Sequence, residues 1–392
     1  MNVSKEAEAL SSYIQQQRRH FHQHPELSFQ EHQTTAYLAE ALTEMGYEVT
    51  RFTDYTGLIA TLRGKSGGKT VLLRSDIDAL PITEETGAPF ASQNPGAMHA
   101  CGHDCHMAML LGTAKLLAAH RTEFSGTVKL LFQAAEESGH GAVYYLEHDL
   151  LGGIDGAFGM HMSPYIPKGA LNIQKGPRMA ACTDFTLTVK GLSAHGSTPH
   201  LGHDAIVAAS SIIMNLQTAV SRLNDPLKPL VVTIGKVRGG KQFNIICGET
   251  VLEGTIRCFD PALAKTAPEW VTHIAAGTAE TLGCSAAIHI IDREPPVAND
   301  AEALLETAQN AAKNALGSAI LTPQDSVMAS EDFAYIMDKI PAVFCFLGAR
   351  DEAGGMTAPL HSPHFLPDDA LLWHGTALET QFALDFLQGK GE

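Results

Sequence analysis

The segment Cys101-Gly102-His103-Asp104 places a thiol and an imidazole two residues apart with a glycine between them. Glycine lets the backbone bend sharply enough for both side chains to reach one metal ion. Thiolate with imidazole suits Zn, Mn, Ni, Co or Fe(II). Read alone, Cys-x-His also describes a buried cysteine beside a hydrogen-bonded histidine. Glu136-Glu137 closes an apolar run. Two adjacent carboxylates repel unless a cation sits beside them. One can then ligate while the other handles the proton of a water, although such a pair also suits a helix N-terminus. His161, after Ala157-Phe158-Gly159-Met160, and His361, in Pro359-Leu360-His361-Ser362-Pro363, each read alone as structural as readily as ligating. Asp76 and Asp78 follow another apolar run and could ligate or orient an imidazole from behind.

A second group lies further along. Gly191–His200 is a polar loop that carries His195. Asn244 sits in Gln242-Phe243-Asn244-Ile245, and Arg257 ends an alternating run. A guanidinium pairs well with a carboxylate, but an isolated strand arginine is more often a surface residue.

Positioning these groups requires a sheet. Helical patterns cover 4–22 and 30–45, the latter stopping at Gly46, and short strands are expected at 47–52 and 57–63. Thr70–Arg74, Val128–Phe132 and Ile154–Met160 read as buried strands, leading into Asp76, Glu136-Glu137 and His161. Asp104 to Ala119 is helical, with Met107, Leu110, Leu111, Ala114 and Leu117 on one face. Strand, polar cluster and helix in repetition predict a sheet with helices on both faces, and such sheets put ligands at the carboxyl ends of their strands. From residue 180 the texture changes. Strands at Asp184–Val189, Leu230–Gly235, Thr250–Cys258 and Ser285–Ile291, with helices at Asp204–Ser221 and Pro261–Leu282, spell β-α-β-β-α-β. After Pro295-Pro296 a helix follows at 300–315. The expected organisation is a catalytic α/β domain of residues 1–179 and 294–392, interrupted by an inserted α+β domain of residues 180–293.

The chain has 392 residues, 45% hydrophobic and 18% charged, so it can bury a large core without a structural metal. A net charge of −16 argues against nucleic acid as a partner and leaves no polybasic segment for an anionic membrane. The first residues lack a secretory pattern, and no window reads as the apolar run of a membrane helix. Seven scattered cysteines predict no disulfide framework and a reducing, cytoplasmic setting. The 19 histidines concentrate in polar segments bordered by glycine or proline, where ligand and acid–base histidines tend to be.

In order, these segments resemble the M20 metallopeptidases, and within them the amidohydrolase branch of aminoacylase, hippurate hydrolase and IAA-amino acid hydrolase relatives. The resemblance runs almost end to end. It rests on His20–Leu27, Arg74–Pro81, Met98–Asp104, Gln133–Glu137, Gly159–His161, Ala194–His200, Ser330–Phe333 and Leu360–Pro363. It implies a zinc-exopeptidase-like α/β/α catalytic domain with two divalent ions per subunit (Mn, Zn, Ni or Co). The inserted domain would be ferredoxin-like and would act as lid and homodimer contact. The resemblance assigns Cys101, His103, Glu137, His161 and His361 as metal ligands and Glu136 as general base. His195 would reach the oxyanion, in this family often from the partner subunit, and Asn244 and Arg257 would bind the substrate carboxylate. The implied reaction is hydrolysis of the amide bond of a small N-acyl amino acid, such as an N-acetyl or N-benzoyl derivative. A dipeptidase or carboxypeptidase using the same chemistry is the alternative. The wider clan carries His-x-Asp where this chain has Asp76-Ile77-Asp78, so a ligand role does not carry over simply to Asp76. Cys105 stands where the branch usually has a small residue, and reads as a buried thiol, an oxidation-prone bystander or an extra sulfur ligand.

Overall fold

The computed structural model describes residues 2–389 of the chain, which divide into two compact units. One comprises Met1–Arg178, Ala298–Asp325 and Tyr335–Glu392; the other comprises Met179–Val297 and Ser326–Ala334.

The first unit is built on a seven-stranded mixed sheet. Its strands are β1 (Glu48–Arg51), β2 (Leu58–Arg63), β3 (Lys65–Asp76), β4 (Ser125–Gln133), β5 (Gly156–Pro167), β6 (Leu171–Asn172) and the strand Ala342–Arg350. The spatial order is β1-β2-β4-β3-β5, then Ala342–Arg350, then β6. The central strands β4, β3, β5 and Ala342–Arg350 run parallel. Burial is unbroken along Val71–Asp76, Leu130–Gln133 and Gly156–Pro164. That pattern means both sheet faces are covered, as expected of parallel strands.

The helical expectation at 4–22 divides at Leu10, whose amide bonds back to the Ala7 carbonyl at 3.0 Å. The result is α1 (Val3–Ala9) and α2 (Ser11–Gln23), followed by α3 (His32–Glu44). Helix α4 (His103–Ala119) is more enclosed than a one-faced pattern implied. Its buried residues run without a gap from His103 to Ala114, so it is packed on all sides. β5 also differs from expectation. It does not end at Met160 but continues to Pro167, so His161 lies within the strand, paired in register with Phe346. The neighbouring strand Ala342–Arg350 keeps supplying partners beyond the polar cluster.

The C-terminal helix Trp373–Leu387 packs on α4, and there it buries a carboxyl group. Glu379 is 3% exposed and lies 2.6 Å from Thr113 Oγ1. Burial pushes its pKa up to about 8, with the Thr113 contact opposing. An unfolded glutamic acid ionises near pH ~4.3. Between these values the unfolded chain sheds a proton that the folded chain keeps, so stability falls as pH rises from about 4 to about 8. Glu379→Gln is therefore expected to stabilise the fold more at pH 8 than at pH 5, by on the order of 1–3 kcal/mol at the higher pH, with a correspondingly larger rise in melting temperature there. Equal shifts at both pH values in thermal unfolding would contradict this.

The second unit has the order β-α-β-β-α-β. Its antiparallel sheet runs Ser285–Glu294, Ala181–Lys190, Glu249–Cys258, Leu230–Gly239. Helices Ala205–Thr218 and Pro261–Thr281 start at Asp204 and Asp260, whose carboxylates accept first-turn amides. Phe185, Leu187, Ile212, Leu216, Leu252 and Val271 fill the core between helices and sheet. By length and composition alone, Ala205–Leu223 is a helical stretch apolar enough to cross a membrane, which the sequence reading had not picked out. Its alternation of small and apolar residues serves this core, with Ala205, Ala208, Ala209, Ile212 and Leu216 buried.

Candidate metal centre and active site

Parallel β3 and β4 end side by side, with Asp76 in register with Gln133, so the segments that follow them emerge on one edge. After β4 the chain turns through Ala135, at φ 57, into a short 3-10 turn, Glu136–Ser138. Cys101 precedes α4, and Gly102 between them adopts φ 92. A Cβ at Gly102 would stand 3.1 Å from Met162 Cγ, so both conformation and space call for glycine there. His361 has φ 62, and its amide donates to the Ala100 carbonyl at 2.9 Å, tying its loop to the Cys101 segment.

These backbone features bring five predicted residues together. Cys101 Sγ lies 3.4 Å from His161 Nε2 and 3.3 Å from His361 Nε2. Glu137 Oε1 lies 3.5 Å from His361 Nε2 and 3.9 Å from His103 Nε2. Cys101, His103 and Glu137 each bring a potential ligand atom within 4.8 Å of the other two. The imidazoles are set by what they touch behind. His103 Nδ1–H donates to the Asp78 carbonyl at 2.8 Å, and His161 Nδ1–H donates to the Met162 carbonyl at 2.7 Å. In its neutral form each ring therefore turns an Nε2 lone pair to the cluster, the orientation metal-ligating histidines need.

Charge is unbalanced in this cluster. Burial and the nearby Glu137, Glu136 and Asp76 carboxylates push the Cys101 thiol well up. Burial raises Glu137 to about 7, against the pull of His103. Burial would lower His103, but Asp76, Asp78 and Glu137 drive it up to about 10. Burial and the neighbouring His106 hold His161 well below its ordinary value. A divalent cation reverses the penalty on the thiolate and the carboxylates at once. His103 Nε2 and Glu137 Oε1 are buried without a hydrogen-bond partner, which a cation would also supply. The residues present thus fit a divalent metal. Thiolate, imidazole and carboxylate are the donors that zinc and its neighbours take.

Peptidase family M20/M25/M40 matches the chain across residues 72–385. The chain belongs to that family. It is 39% identical to the N-acetyl-L-cysteine deacetylase of Bacillus subtilis over 355 residues, 91% of this chain and 83% of that protein. It is 43% identical to the N-acyl-L-amino acid amidohydrolase of Geobacillus stearothermophilus over 270 residues, 68% of this chain and 73% of that one. Among solved structures, a dinuclear metal-binding peptidase of the M20 family from Bacillus subtilis superposes with a TM-score of 0.85 at 35% identity. The match covers 97% of this chain and 99% of that one. The chain is a hydrolase with the α/β catalytic fold and α+β insert of its family.

Asp76 and Cys105 can now be placed in this M20 chain. Asp76 accepts from Arg74 Nη1 at 2.7 Å and from His106 Nδ1 at 2.6 Å, and its Oδ2 stands 3.6 Å from His103 Nε2. His106 had escaped the sequence reading. Its Nε2 accepts the Met162 amide at 2.9 Å, which fixes the proton on Nδ1, toward Asp76. Both ring nitrogens are thereby occupied, so His106 braces the site although it lies near His103 and His161. Its three-residue spacing from His103 along a helix was the available signal. Cys105 is fully buried beside the Arg18 guanidinium and is in neither histidine-containing cluster.

His195, Asn244 and Arg257 belong to the second unit. His195 is exposed, and its Nδ1 accepts the Ser197 amide at 3.1 Å with the Ser197 hydroxyl 2.7 Å away. That contact leaves the proton of a neutral ring on Nε2. Asn244 is exposed, and its carbonyl accepts the Gly196 amide at 2.8 Å, linking it to the His195 loop. Arg257 donates to Thr255 Oγ1 and Ser330 Oγ, each at 3.1 Å.

Proposed function

We propose that this M20 chain hydrolyses the amide bond of small N-acyl amino acids, with Cys101, His103, Glu137, His161 and His361 holding two divalent ions and Glu136 as general base. The observation that carries the proposal is the convergence of Cys101, His161 and His361 within 3.4 Å contacts, beside two buried atoms that lack partners. The relatives named for deacylation of N-acyl amino acids support the substrate class. Seven cysteines, all free and buried, suit action in a reducing compartment such as the cytoplasm.

The ions, Mn, Zn, Ni or Co, would supply Lewis acidity that acidifies water and polarises a carbonyl. Glu136 takes one proton from the attacking water and later returns it to the leaving nitrogen, so water is added across the C–N bond. His195, protonated on Nε2, donates to the developing oxyanion, a contribution typically worth about 3–4 kcal/mol. Arg257 and Asn244 hold the carboxylate of the amino-acid half. The second unit would serve as lid and homodimer contact, as the family motifs imply.

Exhaustive chelation is expected to abolish turnover of N-acetyl and N-benzoyl amino acids, and re-addition of Mn, Zn, Co or Ni to restore it. Chelator-insensitive turnover would remove metal from the reading. Faster cleavage of dipeptides than of any N-acyl amino acid in the same panel would favour a peptidase instead.

A further inference from the structure

The turn carrying Glu136 is held from a distant part of the chain. Ala135 sits at φ 57, a left-handed conformation that an alanine adopts only under outside constraint. Its amide donates to Glu31 Oε1 at 2.8 Å across 104 residues of sequence. Glu31 is fully buried at the start of α3, and its other oxygen accepts the Thr56 hydroxyl at 2.5 Å. On the far side of Glu136, the Glu137 amide donates to Asp78 Oδ2 at 3.0 Å. Gly141 closes the turn from behind, where a Cβ would lie 2.0 Å from the Ala134 carbonyl oxygen. The peptide bearing the proposed base is thus fastened by a carboxylate on each flank, one of them from an element with no other part in the chemistry.

We infer that Glu31 is a positioning residue, which fixes the direction of Glu136 by accepting the Ala135 amide. The role rests on the reading of Glu136 as base. What Glu31 supplies is an acceptor atom at one place; its charge is incidental. Burial in fact raises its carboxyl to about 7. The two closest variants therefore separate geometry from charge. Glu31→Gln keeps the chain length and a carbonyl oxygen at the Oε1 position while removing the charge. Glu31→Asp keeps the charge but withdraws the acceptor by one methylene.

The test compares kcat, KM, bound metal and amide exchange over 133–139 in the metal-loaded full chain. Glu31→Gln is expected to stay within about 3-fold of wild-type kcat. Glu31→Asp is expected to lose about 10-fold or more in kcat, with KM nearly unchanged, metal retained and faster exchange at the Ala135 turn. The reverse ranking would overturn the inference in favour of a buried-charge role. Unchanged kcat and exchange in Glu31→Asp would also overturn it, as would a loss confined to KM. Both variants leave Glu136 in place, so failure of the base assignment shows separately, in Glu136→Gln.

Discussion

Glu136→Gln is expected to lower kcat by roughly 10²–10⁴-fold while bound metal and KM stay near wild-type. Glutamine matches glutamate in shape, so the Ala135 and Glu137 amide contacts persist, but an amide cannot take up a proton at neutral pH. The two adjacent glutamates differ in their surroundings. Glu137 directs Oε1 toward His361 and His103 at 3.5 and 3.9 Å, a ligand's position. Glu136 precedes it on the turn and is partly open. The corresponding change at Glu137 should therefore deplete metal, whereas the change at Glu136 should not. Steady-state kinetics with metal analysis of both variants decides the matter. Near-full activity in Glu136→Gln would sink the assignment of the base.

Asp104→Asn is expected to destabilise the first unit by about 3–5 kcal/mol, a fall of roughly 10 °C in melting temperature. Arg18 and Asp104 are both fully buried, and Arg18 Nε donates to Asp104 Oδ2 at 2.8 Å. His22 Nδ1 shares the same oxygen at 2.8 Å, and the next acid, Asp369, is 3.9 Å from Arg18 Nη1. Removing the carboxylate strands a buried guanidinium whose Nη1 and Nη2 already lack hydrogen bonds. Burial alone would raise the Asp104 pKa, yet Arg18 and His22 hold it far below its ordinary value. The support it gives is present above the unfolded value, about pH 4, and drains as pH falls toward the depressed folded value. Because a well-packed apolar replacement of such a pair is often neutral, Arg18→Met with Asp104→Leu should cost less than Asp104→Asn alone. Thermal melts of the two variants test this, and an Asp104→Asn cost below about 1 kcal/mol would refute it.

Much of this was legible because side-chain type and strand ends coincide. The apolar runs before Asp76 and Glu136 announced both the strands and the edge on which their polar ends gather, and the β-α-β-β-α-β pattern of the second unit followed from periodicity. Contacts made across long sequence distances were not legible. His106 reads as one more helical histidine until the Met162 amide fixes its tautomer. Glu31 reads as a polar residue in the first turn of a helix until its contact with Ala135, held at φ 57, is seen. β5 ran past its expected end because pairing with Ala342–Arg350 carries it on, and that partner lies far downstream. The enclosure of α4 likewise depends on helices from both ends of the chain.

That distant strand has a consequence for the order of events during synthesis. Cys101 and His361 meet at 3.3 Å but are 260 residues apart, with the whole second unit between them. At about 5–20 residues per second, a ribosome needs on the order of 10–50 s to span that gap. For most of this interval, from the completion of β5 until Ala342–Arg350 is made, β5 has β3 on one side but lacks its second parallel neighbour and stands as an apolar edge, the kind of surface that invites pairing with other chains. The same late stretch that carries His361, the last of the proposed ligands, also brings the strand that covers this edge, so under the proposed assignment a nascent chain completes its metal site and loses an adhesive edge in the same stretch of translation.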